Sequence, residues 1–182
     1  MKLLVITASV REGRAGKNVA EWFTEQANIN SNFEVETLDL KELGLSYELP
    51  EQLPGSVENG EYSTQEDRDW AQKINSVDAV AFVSPEYNHG YPASLKNAID
   101  HLLKEWEAKP VAFIGYGAAG APFSYQAFEL VATQLKMNVT EDRVGISEIW
   151  AAFNEDGELV KAEEHNKQAQ LVLSQLAAKV TK

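Results

Sequence analysis

Three cations, Arg11, Arg14 and Lys17, fall within one short polar stretch of a chain whose formal net charge is −12. The stretch runs Ser9-Val10-Arg11-Glu12-Gly13-Arg14-Ala15-Gly16-Lys17-Asn18 and ends where apolar residues begin to recur at helical spacing (Val19, Trp22, Phe23, Ala27). A helix start offers unpaired N–H groups and the positive end of the helix dipole, both suited to a phosphate. Charge-assisted hydrogen bonds contribute roughly 1.5–3 kcal/mol each, against ~0.3–1 kcal/mol from the dipole. Any phosphate affinity here therefore rests on the side chains. The same residues also fit a solvated basic loop that caps a helix. The spacing is not that of a P-loop, which needs G-x-x-x-x-G-K-[ST].

A second stretch, Ser84 to Asp100, holds Pro85-Glu86-Tyr87-Asn88-His89-Gly90-Tyr91-Pro92 between an apolar run and a helical pattern. Two prolines restrict the ends. Between them lie two tyrosines, an acid, an amide and a histidine, side chains able to wall a flat heteroaromatic ring and meet its polar edge. A rigid connection with exposed tyrosines would have the same composition. A third stretch, Gly115-Tyr116-Gly117-Ala118-Ala119-Gly120, matches G-x-G-x-x-G, with Glu141 placed as a dinucleotide-binding fingerprint would want its acid. It lies late in the chain, and too little sequence follows for the second half of such a sheet. Close backbone approach to a ligand edge explains its glycines as well.

The elements that would position these loops read as follows. Leu3–Ala8, Phe33–Asp39, Ala79–Ser84, Val111–Gly115 and part of Met137–Ile146 are short runs rich in β-formers. Helical patterns lie after Lys17, after Ser63-Thr64-Gln65-Glu66 (a capping box), over Ala93–Leu103, near Tyr125–Leu135, and along Ala169, Val172, Leu173, Leu176 and Val180. Apolar strands alternating with helices imply an α/β fold: a three-layer αβα sandwich around a five-stranded parallel sheet. Right-handed crossovers favour the flavodoxin-like order 2-1-3-4-5, with ligands beyond the C-terminal ends of strands 1, 3 and 4.

Residues 1–182 read as a single domain, with a hydrophobic fraction of 44 percent and a charged fraction of 24 percent. The acidic balance argues against nucleic acid and anionic membranes. No run approaches a membrane span. The absence of cysteine excludes thiol chemistry and suits a cytoplasmic location. Asn138-Val139-Thr140 reads as an accidental sequon. Leu43–Ser63 carries Pro50, Pro54, Gly55 and Gly60 without periodicity, and acids crowd the region from Glu48 to Asp69. It reads as a solvated flap, with cation binding the alternative. His89, His101 and His165 are too dispersed for a metal set. His89 is expected near the ligand and the other two at the surface; the four tryptophans are expected in the core or at dimer contacts.

Pro85-Glu86-Tyr87-Asn88, Pro92 and Leu95-Lys96-Asn97-Ala98-Ile99-Asp100 together resemble the signature of the NADPH-dependent FMN reductase family. The first loop resembles that family's phosphate loop, and Trp106, Lys109-Pro110 and Gly115-Tyr116-Gly117 resemble one branch of it. The resemblance runs from Lys2 to about Ile146. It implies a flavodoxin-like fold, bound FMN, and NADPH or NADH as hydride donor. The acceptors it implies are small molecules (quinones, azo dyes, free flavin or metal oxyanions), and the assembly a homodimer or homotetramer. By this resemblance Ser9, Arg11, Arg14, Gly16, Lys17 and Asn18 would hold the phosphate. Pro85, Glu86, Tyr87 and Asn88 would line the ring and ribityl chain, and Gly115, Tyr116, Gly117 and Gly120 the other ring edge. No catalytic acid or base and no metal ligand is expected, because the cofactor carries the chemistry. The chain departs from the family in Ala121-Pro122-Phe123, where an Arg-Ala is usual, and in Ala8 where Gly is common. A flavodoxin-type electron carrier and a flavin-binding regulatory subunit are the rival readings; the cations of the first loop favour the reductase.

Overall fold

The computed structural model describes residues 1–30, 32–58 and 60–180. Its strands are β1 (Lys2–Thr7), β2 (Glu34–Asp39), β3 (Ala79–Pro85), β4 (Pro110–Tyr116), β5 (Asn138–Val139) and β6 (Val144–Ile146). All pairings are parallel, in the order β2-β1-β3-β4-β5, with β6 also on β4. The fold is thus the flavodoxin-like α/β arrangement read from the sequence. The fifth strand differs in one respect: it is two pieces. Val139 pairs with Val111 and Val144 with Ile114, so the segment between them is longer than the β4 residues it passes. The surplus bulges outward. Thr140 Oγ donates to the Asp142 carbonyl at 2.8 Å, and Asp142 exchanges hydrogen bonds with Gln175. Bulges of this kind are common at sheet edges.

Strand alternation divides the core into two layers. Leu4, Ile6, Val80, Phe82, Val111 and Phe113 face α3 (Gln65–Asn75), α4 (Ala93–Asp100) and α5 (Pro122–Gln134). Leu3, Val5, Ala81, Val83, Ala112 and Ile114 face α1 (Gly16–Asn30) and α6 (Ala162–Val180). The short α2 (Leu40–Leu43) follows β2 and is capped by Asp39, which accepts from the Lys41 N–H. Three tryptophans, Trp22, Trp70 and Trp106, are buried as expected; Trp150 is exposed. No helix among the described residues is long and apolar enough to cross a membrane.

The start of α3 differs in register from the capping box at Ser63–Glu66. Thr64 is the cap and accepts from the Asp67 N–H at 3.1 Å, while Glu66 accepts from Ser46 N–H at 2.7 Å. The box shifts by one residue because Asp67 turns inward to meet His101. That histidine is buried rather than at the surface. Its Nδ1 lies 2.5 Å from Asp67 Oδ1, and its Nε2 donates to the Ser46 carbonyl at 2.9 Å. Both ring nitrogens therefore face acceptors. Around it, Tyr62 donates to Glu105 at 2.6 Å, burial drives the Tyr62 hydroxyl well above its ordinary pKa, and Lys104 donates to the Val57 carbonyl. The acidic segment after α2 is thus pinned to the body of the protein by polar contacts. No group of three or more His, Asp or Glu among the described residues is placed to hold a metal ion. Asp67→Ala, which strands His101, is expected to cost about 3–5 kcal/mol, read as a lower urea midpoint; an unchanged midpoint would remove this pair from the account.

Candidate functional site

The loops after β1, β3, β4 and β6 meet at the C-terminal end of the sheet around a cavity of about 350 Å³. Arg11, Gly13, Arg14 and Ala15 come from the first, and Pro85, Glu86 and Tyr87 from the second. Tyr116 and Gly117 come from the third, Ile149 and Trp150 from the fourth. The volume lies within the range of small-molecule sites.

The β1 loop is tied to its neighbours. Ser9 is fully buried; its Oγ is 2.7 Å from the Tyr87 hydroxyl and accepts from the Arg11 N–H at 3.3 Å. The Arg11 guanidinium stacks 4.4 Å from the Tyr87 ring centroid and has no carboxylate partner among the described residues. Arg14 pairs with Asp39, and Lys17 lies 3.8 Å from Asp39 and 3.7 Å from Glu42. The three cations are therefore unequal. Two are partly neutralised by acids at the end of β2, and one is available. Lys17 and Asn18 are exposed and lie outside the cavity, Asn18 in a groove with Trp22 and Asn166.

Gly16 has a packing reason. A Cβ there would stand 2.6 Å from the Tyr116 hydroxyl, so only glycine lets that tyrosine lie against the start of α1. The Tyr116 hydroxyl is buried and makes no hydrogen bond of acceptable geometry, although Ser9 is close enough to favour its ionised form. Burial raises its pKa far above the ordinary value, with Arg14 and Arg11 pulling the other way. It is thus a donor without an acceptor, a state that costs about 1–3 kcal/mol. The Arg14 Nε is likewise buried and unpaired. Two orphaned donors beside a helix N-terminus and a free guanidinium fit a phosphate group. Gly117 adds an open floor, where a Cβ would touch nothing within 4 Å.

Other expected residues also make structural contacts. Glu86 reaches across to α5, which lacks a side-chain cap of its own, and accepts from the Phe123 and Ser124 N–H groups at 2.9 and 3.2 Å. Ser124 Oγ donates to the Pro85 carbonyl at 2.9 Å. Asn88 and His89 form the tip of a tight turn at positive φ, closed by paired Tyr87 and Gly90 backbone bonds. The tip lies outside the cavity lining, and His89 stacks on Phe123 at 4.1 Å. Gly115 and Gly120 serve each other. A Cβ on Gly115 would meet the Gly120 carbonyl at 2.7 Å, and one on Gly120 would meet Gly145 at 3.0 Å. The G-x-G-x-x-G spacing thus reflects close packing of the β4 loop against β6. Sequence reading missed Ile149 and Trp150, since no motif marks them; their one signal was a position after the last strand.

The profile of the NADPH-dependent FMN reductase family matches residues 1–151. The chain is 39% identical over 138 residues to an NAD(P)H-dependent FMN reductase of Schizosaccharomyces pombe, covering 76% of this chain and 68% of that protein. It is 35% identical over 147 residues to an NAD(P)H-dependent FMN reductase of Saccharomyces cerevisiae, covering 76% and 77%. In fold it is similar to FerB, a flavoenzyme NAD(P)H:(acceptor) oxidoreductase from Paracoccus denitrificans, with TM-score 0.78, 21% identity and coverage of 99% and 97%. The chain belongs to the NADPH-dependent FMN reductase family: it is a flavin oxidoreductase that uses FMN and NAD(P)H.

The orphaned hydroxyl yields a prediction. Tyr116→Phe is expected to leave the ligand-free protein as stable or more stable by about 1 kcal/mol, because no hydrogen bond is lost. FMN affinity should fall by roughly tenfold on the same scale. Paired thermal melts and FMN titrations check this; a destabilised variant with full affinity would contradict it.

Proposed function

We propose that this single-domain chain works as a cytoplasmic homodimer or homotetramer that oxidises NADPH or NADH and reduces small-molecule acceptors. Quinone-like, azo, flavin and metal-oxyanion compounds form the acceptor class. The observation that carries the reading is the meeting of Arg11 and the unpaired Tyr116 hydroxyl with an aromatic-walled cavity in one place. Arg11, Arg14 and Tyr116 would hold the FMN phosphate, with Ser9 orienting the loop. Tyr87 and Gly117 would bound the ring. Bound FMN supplies the two-electron redox chemistry. The protein's part is to orient it and to leave one face open. Glu86, the one carboxylate lining the cavity, caps α5.

Two rival readings, a flavodoxin-type carrier and a flavin-binding regulatory subunit, predict a bound flavin that NAD(P)H does not reduce. The test is the visible spectrum of the purified protein under anaerobic addition of NADPH or NADH. Flavin bands that bleach within seconds are expected, and their relative rates rank the two nucleotides. A bound flavin that stays oxidised would favour the rivals.

A further inference from the structure

Trp150 is 73% exposed, yet the backbone beneath it is closely held. Gly117 N–H donates to the Ile146 carbonyl at 3.1 Å, Ile149 N–H to Gly117 at 3.2 Å, and Glu148 N–H to Ala118 at 3.2 Å. Ala119 and Ser147 form an antiparallel bridge, and Ala151 N–H closes the turn on the Glu148 carbonyl at 2.8 Å. Ile149, one residue earlier, packs on the core of the α1 and α6 layer. A large apolar ring on so firm a base, at the wall of a ligand cavity, calls for an occupant. The cavity itself indicates one. In the sheet order β3 and β6 lie on opposite sides of β4, so Tyr87 and Trp150 border the cavity from the two sides of the open Gly117 floor.

We propose that Trp150 is a flavin-contacting residue: its indole packs against the isoalloxazine of FMN and slows release of the cofactor. The proposal rests on the flavin reading above and adds a residue from outside the loops that the family motifs mark. Aromatic stacking on a planar heterocycle commonly changes affinity by roughly five- to a hundredfold, and most such differences fall in the dissociation rate.

The experiment dilutes the FMN holoenzyme and follows recovery of free-flavin emission. Trp150→Leu is expected to release FMN roughly tenfold faster than wild type, and Trp150→Phe to stay close to wild type. Trp150 is exposed, and a circular dichroism melt of each variant checks that it folds. Release from Trp150→Leu at the wild-type rate would overturn this inference and leave the flavin reading intact. A wild-type protein that neither carries nor takes up FMN would overturn both.

Discussion

A tyrosine hydroxyl buried without an acceptor is the constraint around which this site is arranged. Tyr116 can lie beneath the start of α1 only because residue 16 has no side chain. Its hydroxyl then makes no well-formed hydrogen bond within the protein. On the proposed reading, a bound phosphate would relieve the cost of this missing bond. Arg11 adds a cation that stacks on Tyr87 rather than pairing with an acid, so recruiting it to a phosphate breaks no ion pair. On the proposed reading, part of the affinity for a phosphate would thus be built into the unliganded state.

The carboxylates of this acidic chain supply much of the rigidity that such a site requires. Glu86 fixes the β3 loop to the N-terminus of α5 through two backbone N–H groups. Asp39 caps α2 and holds Arg14, so the end of β2 sets where that guanidinium points. Asp67, through His101, ties the segment after α2 to α4. In each case the acid sits on one element and its partner on another. The cavity gains loops held at several points without placing an ionised acid at its floor.

The fold was legible because its central strands β1, β3 and β4 are apolar on both faces and its helices amphipathic, which leaves few arrangements for a parallel sheet. The β1 and β3 loops were legible through unusual composition: clustered cations in one, prolines and tyrosines in the other. Individual duties were harder to read. Composition cannot tell a cation facing a phosphate from one facing Asp39, so Arg14 and Lys17 looked equivalent to Arg11. Gly115 and Gly120 also make close backbone contacts of their own, and spacing alone does not distinguish a close ligand from a close strand. His101 looked superficial because its partner lies 34 residues away on another helix. Trp150 sits in no motif, and the break between β5 and β6 depends on side-chain anchors in α6 that no local pattern reveals.

If the β1 loop and Tyr116 form a phosphate site, the phosphate should dominate cofactor selection. Calorimetric titration of the flavin-free protein with FMN and with riboflavin isolates that group, since the two differ only there. Two charge-assisted hydrogen bonds at about 1.5–3 kcal/mol each predict that FMN binds at least ~100-fold more tightly than riboflavin. Equal affinities would contradict the account and place the binding energy in the ring walls alone.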